Sequence, residues 1–190
     1  MMDGRELEGR YNAGERNFRG VDLRGADLQG KVLRAIALPR ANLQGANLQG
    51  ADLQGADLHN SDLQGAHLQN ADLSHTNLYQ ANLKRADLRS ANLNGALFTG
   101  AELCHANLHR ASLIQADLCE ADLTHANLSH AQLIGATLKK AILKKTNLTW
   151  ANLRHANLHQ AHLEGTAIAD AQFEKTTLPD GTLCSDSPQL

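Results

Sequence analysis

A chain of 190 residues is long enough for one domain, yet aromatics make up only 3% of it and its 42% apolar content is mostly Ala and Leu. That composition excludes an ordinary core of mixed large side chains. A formal net charge of −2 requires neither a polyanionic nor a polycationic partner.

Residues 3–13 read as a short helix. Asp3 can cap it with Glu6 three residues on, Leu7 and Tyr11 share one face, and Gly14 stops it. Its expected role is to cover the first repeat, whose open end would otherwise leave backbone unpaired. Residues 1–15 carry four acidic side chains and no apolar run, and no stretch approaches 18 apolar residues. Neither a signal peptide nor a membrane span is expected, and the cytoplasm is the expected compartment. Phe18, Leu23, Leu28, Leu33 and Leu38 then recur every five residues. Lys31 stands where a small buried residue belongs, and Ile36-Ala37-Leu38-Pro39 is atypical. A local distortion is expected over 31–40, through a bulge or through Lys31 reaching its amine past a thin wall.

From Ala41 to Gly165 the chain runs through twenty-five consecutive fives without slipping. The middle residue is Leu from Leu43 to Leu163, with Phe98 once, and two residues earlier stands Ala, replaced only by Ser61, Thr76 and Thr146. On a helix, Leu residues at this spacing would advance by about 500° and spread around the circumference, and on a flat strand they would alternate faces. A short extended step followed by a turn satisfies the period, with Leu and Ala inward and the other three positions outward. The expected inward ladder includes Phe18, Leu43, Leu63, Phe98, Leu108, Leu128 and Phe173. Ile168 and Phe173 continue the pattern, Pro179-Asp180-Gly181 is a turn signal, and residues 184–190 read as a frayed terminus. Asp or Asn immediately before the central Leu suits side-chain capping of a short turn.

This pattern resembles the pentapeptide repeat family, with its consensus A-(D/N)-L-X-X, over about 33 units from Asn17 to Leu178. The flanks GRELEGRYNAGERNF and FEKTTLPDGTL resemble those of cyanobacterial members. The resemblance implies an all-β solenoid, a right-handed quadrilateral β-helix of about eight coils with four units in each. The expected organisation is a helical cap at 1–15, the repeat body at 16–178, and a turn and tail at 179–190.

With four units per coil, residues 20 apart stack, which turns the sequence into a surface map. Arg85, His105, His125 and Lys145 form one column, with Lys139, Lys140 and Lys144 nearby, so the C-terminal half has a basic edge. Ile114 and Ile134 stack on one face with Trp150 close to the neighbouring corner. These ten residues are the candidate protein-binding surface, since exposed aromatic and aliphatic clusters mark interfaces. The ten His residues all fall in outward registers, and only His105 and His125 stack directly, too few for a zinc site. Cys104, Cys119 and Cys184 have no metal-binding spacing. A tube filled by Leu and Ala leaves no concavity for catalysis. No catalytic residue, metal or cofactor is expected.

The reading is a non-enzymatic protein–protein interaction module with a regulatory role, in cyanobacterial cell differentiation if the resemblance of the termini holds. Its partner is an unidentified protein, with no membrane association, nucleic acid disfavoured, and a monomer or weak homodimer as the state. The alternative carried by the family is a DNA mimic that binds DNA gyrase. The net charge of −2 and the basic edge depart from that pattern. The inward register has a direct test. Leu108→Asp should abolish cooperative folding, because it forfeits about 1.5–3 kcal/mol of Leu burial and buries an unpaired charge. Gln49→Lys, on an outward column, should leave thermal melting unchanged. A near-parental melt for the first variant, or a large loss for the second, contradicts the register.

Overall fold

The computed structural model describes residues 1–184. Regular elements are few: a helix α1 (Gly4–Asn12) and two short strands, β1 (Thr176–Thr177) and β2 (Leu183–Cys184), paired antiparallel. The expected all-β solenoid, a right-handed quadrilateral β-helix of about eight coils, is therefore corrected. Outside α1 and the β1–β2 pair, the described chain is turn and irregular backbone carrying isolated single-residue bridges. The physical reason lies in the unit itself. Two of every five residues are spent on a turn, and one bridging residue per unit is too short to make a strand.

The bridges nevertheless obey one rule. Each joins a residue to the one 20 positions later in parallel, from Asn17↔Ala37 to Asn157↔Thr177. The chain thus returns over itself in tiers of 20 residues, four turns to a tier. Within each unit the backbone N–H groups can be accounted for in full. In the unit Ala46–Gly50, Ala46 N–H closes a turn onto Leu43 O, and Asn47 N–H donates to Ala26 O in the tier before. Leu48 and Gly50 N–H donate to His67 O and Gln69 O in the tier after, at 2.7 and 2.9 Å. Gln49 N–H remains, and the Asn47 side chain accepts it at 3.2 Å. The Asp or Asn before each central Leu therefore serves the one donor that no backbone carbonyl reaches. Pro39 occupies that donor's place in the unit that has Ala37 instead of Asx, and proline has no N–H to satisfy.

The last residue of every unit from 20 to 175 has positive φ, between 51° and 71°. As the third residue of its turn it meets the requirement of a type II turn. Glycine fills many of these places, but His, Lys, Arg, Gln and Trp fill others.

The interior is a column of Leu and Ala. Leu108 and Phe98 are fully buried, and Phe18 and Phe173 nearly so. Where a hydroxyl replaces Ala it finds a carbonyl: Thr76 and Thr146 donate to Leu53 O and Leu123 O, and Ser61 to Leu58 O. At the N-terminal end Asp3 accepts from Arg5 and Glu6 N–H, and α1 lies against the first tier. Leu7 is fully buried, Gly4 sits so close to Asp27 O that a Cβ would collide with it, and Tyr11 Oη donates to Arg34 O. The distortion expected over 31–40 is absent. Val32 and Ala37 keep their bridges to Asp52 and Asp57, and half-buried Lys31 reaches Glu8 of α1 at 2.6 Å. At the other end Gly181 N–H turns back onto Leu178 O, and Asp180 accepts from Thr182. The remainder of the expected tail, residues 185–190, lies outside the described residues.

The positive-φ corner can be tested where sterics do not interfere. A Cβ on Gly50 would meet nothing within 4 Å, so any cost of substitution is conformational. Gly50→Val should lower stability by about 1–2 kcal/mol, whereas Gly50→Asn should cost clearly less, since Asn tolerates that backbone. Equal effects in urea unfolding would contradict the assigned corner.

Candidate protein-interaction surface

Each unit crosses one face between consecutive turns, so two turn columns border a face. Arg85, His105, His125 and Lys145, all exposed, form one such border. The His105 and His125 rings lie parallel at 4.8 Å, which is the spacing between tiers. The opposite border of the same face is Ser90, Arg110, His130 and Trp150. Trp150 is 55% exposed and its ring lies parallel to that of His130 at 6.2 Å, while His109 meets His130 edge-on at 5.4 Å. Asn107, Asn127 and Asn147 run down the middle, held by the N–H groups of His109, Ser129 and Thr149.

Not all the residues singled out from the sequence belong to this face. Ile114 and Ile134 are half-buried on the far border of the next face, beyond the Trp150 corner. Lys139 and Lys140 lie on a different corner. The basic edge is also partly neutralised: Lys140 pairs with Glu120 at 3.6 Å, Lys144 with Glu164 at 4.0 Å, and Lys84 with Glu102 at 2.5 Å. Among the described residues Arg85, Arg110, Lys139 and Lys145 have no ion pair. Arg110 and His130 were missed by sequence reasoning, although the same 20-residue spacing that links His105 to His125 links them to Trp150. The glutamate partners of the lysines were legible at separations of 18 and 20. Elsewhere the exposed large apolar side chains include Val32, Tyr79 and Leu97.

A shallow hollow of about 350 Å³ opens at the Arg110 border, between Gln49, Gln69, Arg89 and His109. Gln69 Nε2 donates to Asp87 at 2.7 Å, which fixes the amide, and its Oε1 is left buried without a partner. Asp87 is also gripped by Arg89 through Nε and Nη2. Burial alone would raise this carboxyl, but the hydrogen bonds from Arg89 and Gln69 outweigh it and hold the group below the ordinary carboxylate range. A second hollow, of about 500 Å³, lies among Leu163, Glu164, Thr166, Ile168 and Pro179 near the C-terminal end.

Nothing in this surface organises bond-making chemistry. Burial, followed by a hydrogen bond to Asp122, pushes the Cys104 thiol up to about 11, and burial raises Cys119 as well. Both are thus poor nucleophiles at neutral pH. Among the described residues no group of three or more His, Cys, Asp or Glu side chains could hold a metal ion, and no helix is long and apolar enough to cross a membrane.

The repeating unit, its 20-residue pairing and its Leu/Ala interior define a class that the comparisons identify. The family described as pentapeptide repeats matches at residues 17–55, 41–80, 81–118, 101–139 and 141–180. The chain belongs to the pentapeptide-repeat family. It is similar to HetL, a pentapeptide repeat protein involved in heterocyst differentiation regulation in the cyanobacterium Nostoc sp. strain PCC 7120. The two are 33% identical, the match covers 97% of this chain and 100% of HetL, and the TM-score is 0.63. A second Nostoc PCC 7120 pentapeptide repeat protein, alr5209, is 35% identical over 46% of this chain and 84% of its own, with a TM-score of 0.42. QnrB1, a plasmid-mediated fluoroquinolone resistance protein, is 16% identical over 88% of this chain and 93% of its own, with a TM-score of 0.39. No curated protein sequence matches the chain significantly.

Proposed function

We propose that this protein is a non-enzymatic protein-interaction module that acts as a regulator, resembling HetL. The observation that carries the proposal is the full-length similarity to HetL, on a chain whose largest ordered surface is a preformed face bordered by exposed Arg, His, Lys and Trp side chains. Such a face is held by backbone pairing in every tier. A partner can therefore dock on it with little ordering cost in this chain. The partner is a protein, the working state is a monomer or weak homodimer, and the compartment is the cytoplasm. Regulation of cell differentiation is the process this reading favours, because that is the process in which HetL takes part.

Of the ten residues proposed from the sequence, Arg85, His105, His125, Lys145 and Trp150 share the preferred face, with Arg110 and His130 added to them. Ile114 and Ile134 flank it, and Lys139, Lys140 and Lys144 are peripheral. A photo-crosslinking residue placed at Trp150 should yield a discrete protein adduct in cells of the source organism, while the same residue at Gln160, on another corner, should not. Adducts at neither position, or equal labelling at both, would contradict this reading.

A further inference from the structure

We infer that the face between the Arg85–Lys145 and Arg110–Trp150 borders receives an extended, carboxylate-rich segment of the protein partner. This rests on the interaction-module reading and adds the chemistry of the partner. The first ground is the distribution of acidic residues. The strips 105–110, 125–130 and 145–150 contain no Asp or Glu, and the strip 85–90 contains only Asp87. Asp87 is already matched by Arg89 at 2.6 Å. The face that shares the Arg85–Lys145 border on its other side carries Glu102, Glu120, Asp122 and Glu164, and those glutamates neutralise its lysines. On the inferred face Arg85, Arg110 and Lys145 stand exposed and unmatched, so an incoming carboxylate meets no repulsion and displaces no existing partner.

The second ground separates a peptide from a nucleic acid. Gln69 Oε1 is a buried acceptor with no donor, in the hollow that Arg110 borders, and its amide is fixed by Asp87. A peptide N–H can satisfy it, and a phosphodiester backbone has no hydrogen to donate. Three unmatched cations also suit a few carboxylates rather than the six to ten phosphate contacts of a typical duplex-binding protein. The geometry fits an extended chain. Arg85 to Lys145 spans three tier spacings, about 14 Å, which an extended peptide covers in about four or five residues.

The protein contains a single tryptophan, and it lies on this face, so binding has an intrinsic reporter. Acetylated octaglutamate should change Trp150 emission saturably at low ionic strength and much more weakly at physiological salt, and octaglutamine should not. The triple variant Arg85→Gln, Arg110→Gln, Lys145→Gln should weaken octaglutamate binding about tenfold or more, with melting unchanged. Gln already occupies the same turn position at Gln80, Gln115 and Gln160, and Arg110→Gln alone serves if the triple variant melts early. Lys139→Gln with Lys140→Gln should alter affinity by less than about twofold. Absence of saturable binding, equal weakening by both sets of variants, or tighter binding of octathymidylate with the same sensitivity to the triple variant would each overturn the inference. An adduct at Trp150 without octaglutamate binding sinks only this inference; failure of both experiments sinks the interaction-module reading too.

Discussion

The structure depends on how a five-residue unit disposes of its five backbone donors. Four go to carbonyls, one within the turn, one in the tier before and two in the tier after, and the fifth goes to the Asx side chain two residues earlier. Because the pairing runs to neighbours 20 residues away, no unit is stable alone and every tier orders the next. Leu and Ala inside follow from this constraint, since the extended step turns two of the five side chains inward and leaves little width between opposite walls. The exceptions obey the same rule. Thr76 and Thr146 are accepted in the Ala place because each hydroxyl reaches a carbonyl, and Pro39 is accepted without Asx because it brings no donor.

The same constraint builds the surface. Locked tiers place every outward residue in register with the one 20 positions away, so side chains with no local relation become neighbours. His105 over His125 and Trp150 over His130 are products of that register, as are the ion pairs that silence Lys140 and Lys144. A functional face here is a coincidence of columns, with no loop or pocket to announce it. That is also why a family member can acquire a new partner by exchanging outward residues while its core stays fixed. The positive φ at each corner limits this freedom only mildly, since His, Lys, Arg, Gln and Trp all occupy it.

The repeat, the inward Leu and Ala, the helix at the N-terminus and the 20-residue columns were all legible in the sequence, because each follows from a strict local period. The assignment of the body as an all-β solenoid was not sustained, since one bridging residue per unit does not make a strand. The irregular stretch 31–40 misled for a related reason. Lys31 looks like a breach of the wall, but Glu8 on a helix 23 residues earlier meets it, and nothing local reveals that contact. On the surface the cations were visible but their neutralisation was not noticed. The face that remained, from Arg85 to Trp150, emerged only when lysines with glutamate partners were separated from those without.

Native-state hydrogen exchange tests the central claim most directly. The N–H of Gln44, Gln49 and Ser129, accepted by Asx side chains, should be protected along with the N–H groups that bridge tiers. The N–H of Gln69, Cys104, Lys139 and Lys144 occupies the same turn position in units with His67, Glu102, Thr137 and Ile142 in the Asx place. These should exchange markedly faster while their tier-bridging neighbours stay protected. Uniform protection of both groups, or fast exchange at Gln44, Gln49 and Ser129, would contradict the account.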